Sequence, residues 1–277
     1  MPSTISSSVS TENNARITRA GGLGATERSD LAGLEQPAPL VEPDAAASTH
    51  YRRGSRRATS GYRRLPANSP AVARASAPVR VVHFDPARFD RAKFYDGVRA
   101  GPFPGRLSPG QVAGLETILN EWERRGMTDL RWLAYMLATT FHETDQKMQP
   151  IEEYGRGRGK AYGRPDRETG QVYFGRGYVQ LTWRANYETM GRLLGIDLLR
   201  HPELALEPRA ATQIMFEGMT RGLSKRGDFT GKSLEHYFTD QKSDWRNARR
   251  IINGTDRADL IAGYAKQLYQ DLIAAQT

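Results

Sequence analysis

Apolar positions recur at helical spacing through most of the second two thirds of the chain, and no stretch sustains a two-residue alternation. The pattern predicts a mainly α-helical domain. The first clear helix opens at Ser108-Pro109-Gly110-Gln111. Ser108 can accept from the first turn, Pro109 stands where its missing N–H costs nothing, and Gln111 completes a capping box. Val112, Leu115, Ile118, Leu119 and Trp122 form its apolar stripe, and Gly126 is placed to end it. Asp129 opens the next helix, with Leu130, Leu133, Met136, Leu137, Thr140 and Phe141 on its buried face. His142 and Glu143 fall in its last turn. Further helices are expected from Tyr187 to a stop at Gly195, from the Pro202 and Pro208 region to Gly222, over residues 231–238, and over residues 245–252. A final helix is expected to be capped by Asp256, with Asp259 at the capping-box position. Its stripe is Ile261, Tyr264, Ala265, Leu268, Leu272 and Ile273. Residues 144–172 interrupt the periodicity with a long irregular segment, and such segments inside compact domains commonly form functional walls.

Before residue 79 the pattern is lost. Residues 1–78 are rich in Ser, Ala, Pro, Gly and Arg and read as a disordered basic region, leaving 79–277 as the folded domain. The lead-in VRVVHF at 79–84 is a short strand or a packed segment, and GPFPG at 101–105 is a rigid turn. Six arginines, Arg52, Arg53, Arg56, Arg57, Arg63 and Arg64, lie together without an intervening acid. This arm is expected to be a solvated tail or to contact an anionic envelope, a nucleic acid or a larger particle. No aromatic ladder accompanies the arginines, so sequence-specific reading of a nucleic acid is not expected.

The 277 residues carry a formal net charge of +9, with an isoelectric point near 9.8. That favours anionic partners without choosing among them. There is no cysteine, so disulfide and thiolate chemistry are excluded. No apolar run is long enough to span a membrane, and the polar first residues do not form a classical signal peptide. The expected setting is therefore synthesis in a cytoplasm followed by action at a cell wall after release, or on a virion.

Candidate chemistry clusters around residues 173–187, YFGRGYVQLTWRANY. Gly175 and Gly177 allow tight backbone turns, and Arg176 is placed to brace carboxylates. Gln180, Thr182 and Asn186 offer short-range hydrogen bonds. Tyr173, Phe174, Tyr178 and Trp183 serve either as sugar platforms or as core. Upstream, Glu143 at a helix C-terminus among apolar neighbours is a candidate general acid, because both surroundings favour its neutral form. Glu152 and Glu153 are alternative second carboxylates that local chemistry does not separate. Two carboxyl groups across a groove, roughly 6.5 to 9.5 Å apart, hydrolyse a glycosidic bond with inversion. HETDQ at 142–146 is not a zincin motif, and the other histidines lack ligand spacing, so no metal or other cofactor is expected. The Gly- and Arg-rich run GRGRGKAYGR lacks the features of a phosphate-binding loop. Asn253 before Gly254 is either a helix cap or a cleft residue.

Together LATTFHET, YFGRGYVQLTWRANY and RIINGT resemble glycoside hydrolase family 19, the chitinase-like enzymes, and within it the compact bacterial and phage endolysin-type members. The resemblance runs from about Leu130 to the C-terminus. It implies a lysozyme-like helical fold with a central substrate cleft. It implies Glu143 as general acid, Glu152 as base by its nine-residue spacing, and Thr182 as the hydroxyl that positions the attacking water. It implies contacts to substrate or catalytic water for Asn186 and Asn253, and His142, Tyr173, Arg176, Gln180 and Trp183 are further candidate substrate-binding residues. The chain departs from the HETGG form of many relatives with Asp145 and Gln146, and has Thr255 where a second glycine often follows. Peptidoglycan is the favoured substrate at this stage. Chitin is the alternative, as is a noncatalytic envelope-binding role on the same fold.

Overall fold

The computed structural model describes residues 81–103, 105–220 and 229–276. The expected basic region over 1–78 and the expected helix stop at Gly222 lie outside these residues. Among them six α-helices carry the architecture: α1 (Arg91–Ala100), α2 (Pro109–Arg124), α3 (Leu130–Glu143), α4 (Arg184–Leu194), α5 (Pro208–Met219) and α6 (Ala258–Ala274). Four two-residue strands pair as antiparallel ribbons, β1 (Ile151–Glu152) with β2 (Arg176–Gly177) and β3 (Phe238–Thr239) with β4 (Lys242–Ser243). The domain is mainly α.

α3 is the central element. Every residue from Leu130 to Phe141 except Trp132 is buried, as expected for a helix covered on all sides. α6 packs along it most extensively, and α1 covers α6 while α5 covers α2. Asp129 starts α3 by accepting from the Arg131 amide at 2.9 Å. The Arg131 side chain then folds back onto the same carboxylate and donates to the Thr239 carbonyl at 2.9 Å, tying the β3–β4 ribbon to the start of the helix. The Ser108–Gln111 capping box of α2 forms as the sequence indicates, with reciprocal bonds of 3.2 and 2.8 Å.

The lead-in is a packed segment rather than a strand. His83 makes one antiparallel bridge to Asp129, and the Phe84 amide donates to the Thr128 carbonyl at 2.6 Å. Phe84, Phe89, Phe94 and Tyr95 then stack in sequence with centroids 5.0 to 5.7 Å apart.

Several expected elements differ. α4 begins at Arg184, three residues early, and ends as expected at Gly195 in the left-handed conformation. Residues 231–238 give only one 3-10 turn (Leu234–His236) before the ribbon, and 245–252 give a 3-10 turn (Asn247–Ile251). Asp256 does not cap α6. Arg257 occupies that position at φ 57° without a side-chain cap, and Asp259 instead accepts from Arg246 Nε at 3.0 Å. The local capping signal yields to a turn that carries the Asp256 carbonyl to the Arg249 Nε, 3.1 Å away.

Candidate active site

The last turn of α3 delivers Glu143 from inside the core to the edge of a cavity. The opposite side comes from the β1–β2 ribbon and the hairpin that continues β2. Gly177, at φ 87°, lies where an added Cβ would approach the Ala205 carbonyl to 2.8 Å, so only glycine turns here without strain. The chain then reverses through Gln180, and Arg176 and Leu181 exchange backbone hydrogen bonds of 3.1 and 2.8 Å. Gln180 stands at φ 55° and Trp183 at φ 74°, ψ 137°. Both conformations are costly for side-chain-bearing residues, and they bracket Thr182. Asn186, buried in the first turn of α4, fixes the same bend by donating to the Thr182 carbonyl at 2.8 Å. Arg184 at the helix start ties it to the preceding loop through Asp166 and Glu168.

These elements enclose a cavity of about 190 Å³ lined by Glu143, Glu153, Tyr162, Gly175, Val179, Gln180, Thr182, Ile252 and Asn253. The two carboxylates are held differently. Glu143 Oε1 accepts from Arg249 Nη1 at 2.5 Å, and the guanidinium itself is buried. Glu153 accepts from the Tyr162 hydroxyl at 3.0 Å and from the Gly175 amide at 3.3 Å. Burial, and then the Glu153 carboxylate, push the Tyr162 phenol well above its ordinary range. It therefore remains a donor at any physiological pH. The Thr182 hydroxyl donates to the Gln180 carbonyl at 2.7 Å, and Thr182 lines the cavity.

Of the residues singled out in the sequence, Glu143, Gln180, Thr182 and Asn253 meet at this cavity. Glu152 does not. Neighbouring strand residues project to opposite faces, and in the β1–β2 register Glu152 pairs with Arg176. Its carboxylate meets Arg156 at 2.6 Å and Arg176 Nε at 3.7 Å, behind the ribbon. Glu153 takes the cavity side. Arg176 is buried with its guanidinium 3.7 Å from the Phe174 ring centroid and bonded to the Tyr187 hydroxyl at 3.0 Å, so it braces the ribbon from behind. Tyr173 is core, donating to the Leu199 carbonyl at 2.9 Å. Trp183 packs edge-on against Tyr162, 5.3 Å between centroids. It supports the cavity wall from outside the lining. His142 is half-buried beside Glu143; burial first, and then Arg249 and Arg257, hold its imidazole below its ordinary range against the opposing pull of Glu143 and Asp256.

Two partners escaped the sequence reading. Arg249 lies 106 positions from Glu143, and nothing local marks it as the buried cation of that carboxylate. Tyr162 stands in the irregular segment, where its proximity to Glu153 depends on the turn at Gly157 and Gly163.

The sequence profile of glycoside hydrolase family 19, described as Chitinase class I, matches residues 131–219. That span includes Glu143, Glu153 and Thr182. An endochitinase of Arabidopsis thaliana is 37% identical over 94 residues, 32% of each chain. The acidic endochitinase SP2 of Beta vulgaris is 32% identical over 121 residues, 40% of this chain and 42% of that protein. The chain thus aligns with less than half the length of these curated relatives. A bacterial family 19 chitinase structure aligns with 66% of this chain and 94% of its own, at 22% identity and a TM-score of 0.45.

Proposed function

We propose, from the match of residues 131–219 to the glycoside hydrolase family 19 profile, that the chain hydrolyses β-1,4 bonds between N-acetylglucosamine units of chitin-type polymers, with inversion. The observation that carries this reading is the convergence of Glu143 and Glu153, from a helix terminus and a strand end, on one cavity with Thr182 and Asn253. Glu143 is the general acid. Arg249 holds its Oε1, and on this reading Oε2 is the oxygen that protonates the leaving group. Glu153 is the base that draws a proton from water on the opposite face of the sugar. Tyr162 and the Gly175 amide fix its orientation. Thr182 orients that water, and Asn253 and Gln180 contact the substrate.

The endochitinase relatives favour chitin over the peptidoglycan expected from composition. Peptidoglycan strands stay as a second reading because they share β-1,4-linked N-acetylhexosamines and because the net charge of +9 suits an anionic wall.

Mass analysis of products from N-acetylglucosamine oligomers and from purified peptidoglycan tests the reaction and the preference together. Proton NMR of fresh products should show the α-anomer first. Glu143→Gln and Glu153→Gln should each lose about a hundredfold or more in turnover, with helical circular dichroism retained. Glu152→Gln should keep most of it. Full activity in Glu153→Gln with loss in Glu152→Gln would reverse the assignment of the base, and release of the β-anomer would remove the inverting mechanism.

A further inference from the structure

Directly after Glu143 the backbone adopts an expensive path. Asp145, Gln146 and Met148 stand at φ 50°, 64° and 53°. Three non-glycine residues in the left-handed region within four positions each carry a steric cost of about 1 kcal/mol. The path is held by the Gln146 amide on the Phe141 carbonyl at 2.7 Å, the Lys147 amide on the Thr144 carbonyl at 3.1 Å, and the Met148 amide on the Thr144 hydroxyl at 3.0 Å. Its outward product is a pair of opposite charges. Asp145 and Lys147 both reach Tyr154, which follows Glu153 in the chain. The Tyr154 hydroxyl donates to Asp145 Oδ2 at 2.9 Å and accepts from Lys147 Nζ at 2.9 Å.

Tyr154 is 73% exposed, and among the described residues only Leu260 is another large apolar side chain in the open. An exposed tyrosine with no tether rotates freely. Here two charged groups grip the hydroxyl, and the ammonium lies over the ring, 5.1 Å from its centroid, so the ring is held while most of its surface stays in water. A fixed, solvent-facing ring presents a flat apolar surface beside a polar tip, with little rotamer entropy left to lose on binding.

We propose that Tyr154 is a saccharide-stacking platform on the rim of the cleft, placed by Asp145 and Lys147. It takes the apolar face of a pyranose unit lying beyond those at Glu143 and Glu153. The tether links the segment that follows one carboxylate to the residue that follows the other. This inference rests on the reading of the cavity as a glycan cleft.

The test separates the two ideas. N-acetylglucosamine hexasaccharide is titrated into the Glu143→Gln protein with and without Tyr154→Ala, by calorimetry. Affinity should fall about tenfold on loss of the ring, equivalent to one good contact. Tyr154→Phe, which keeps the face and loses the tether, should fall between the two. In the otherwise native protein Tyr154→Ala should raise KM for the hexasaccharide far more than for the trisaccharide, with kcat for the hexasaccharide little changed, the signature of lost uniform binding. Equal hexasaccharide affinity with and without the ring overturns the platform, whatever the catalytic result. Weakened binding in a protein that cleaves neither oligomer keeps the platform and removes the hydrolytic reading.

Discussion

At the scale of single residues, His142 connects the site to stability. Its imidazole is held below the ordinary 6.5, first by burial. Between that depressed value and 6.5 the unfolded chain binds more protons than the folded one, so stability falls as pH drops through this window. Above it both states are neutral, and below it both are charged and the loss levels off. The melting temperature should therefore decline as pH falls from 7 toward 5, and decline less in His142→Gln. Calorimetric scans across that range check this, and identical slopes in the two proteins would refute it. The residues found from sequence and those missed divide by locality. Gln180 and Thr182 were legible because their motif is continuous and its geometry is set within a few residues. Asn186 was legible as part of the site, but its donor group points into the fold and holds the Thr182 carbonyl. Its effect on the cavity is mechanical. Arg249 was not legible, since only the packing of the Asn247–Ile251 turn against the end of α3 makes it the partner of Glu143.

At the scale of elements, α2 meets the segment after α3 through Gly110 and Gln111, and most tightly at Gly114. A Cβ on Gly114 would lie 1.7 Å from the Met148 carbonyl oxygen, which is backbone and has no rotamer by which to retreat. Gly114→Ala should therefore cost about 3 kcal/mol or more, the upper range for overpacking, read by chemical denaturation. It should also disturb turnover, because the displaced segment lies between the two carboxylates. An alanine variant as stable as the parent would mean that the helix and loop can separate freely. Helix starts with strong caps, at Ser108 and Asp129, were legible. The start of α6 was not, since its first turn is set by the Arg249 contact to the Asp256 carbonyl rather than by any side-chain cap. The ribbons were not legible either. Each strand has two residues, too few to show an alternation.

At the scale of the molecule, the charge of +9 and the neutral substrate we propose for the cleft make separate predictions about salt. Exposed charges lose their reach as the Debye length contracts from about 10 Å at 0.1 M to about 3 Å at 1 M. Retention on purified anionic cell wall, measured by co-sedimentation, should weaken across that range. Turnover of soluble N-acetylglucosamine oligomers should change little, since those substrates carry no charge. A parallel fall in both would place the electrostatic attraction inside the cleft. The mainly helical class was legible from periodicity because it is a property of the whole apolar pattern. Composition does not choose the polymer, because it reports the surface while a few side chains in the cavity meet the sugar.

The register of the β1–β2 ribbon carries one more consequence. Strand neighbours face opposite ways, and glutamates occupy both phases, Glu152 against Arg176 and Glu153 on the cavity. Which of the two serves is thus a matter of parity. Adding a single residue to the loop before the ribbon and sliding the strand by one would bring Glu152 to the place Glu153 holds. On the proposed mechanism the chain carries a built-in spare: the chemistry would survive a change in loop length that would strand a lone carboxylate on the wrong side of the sheet.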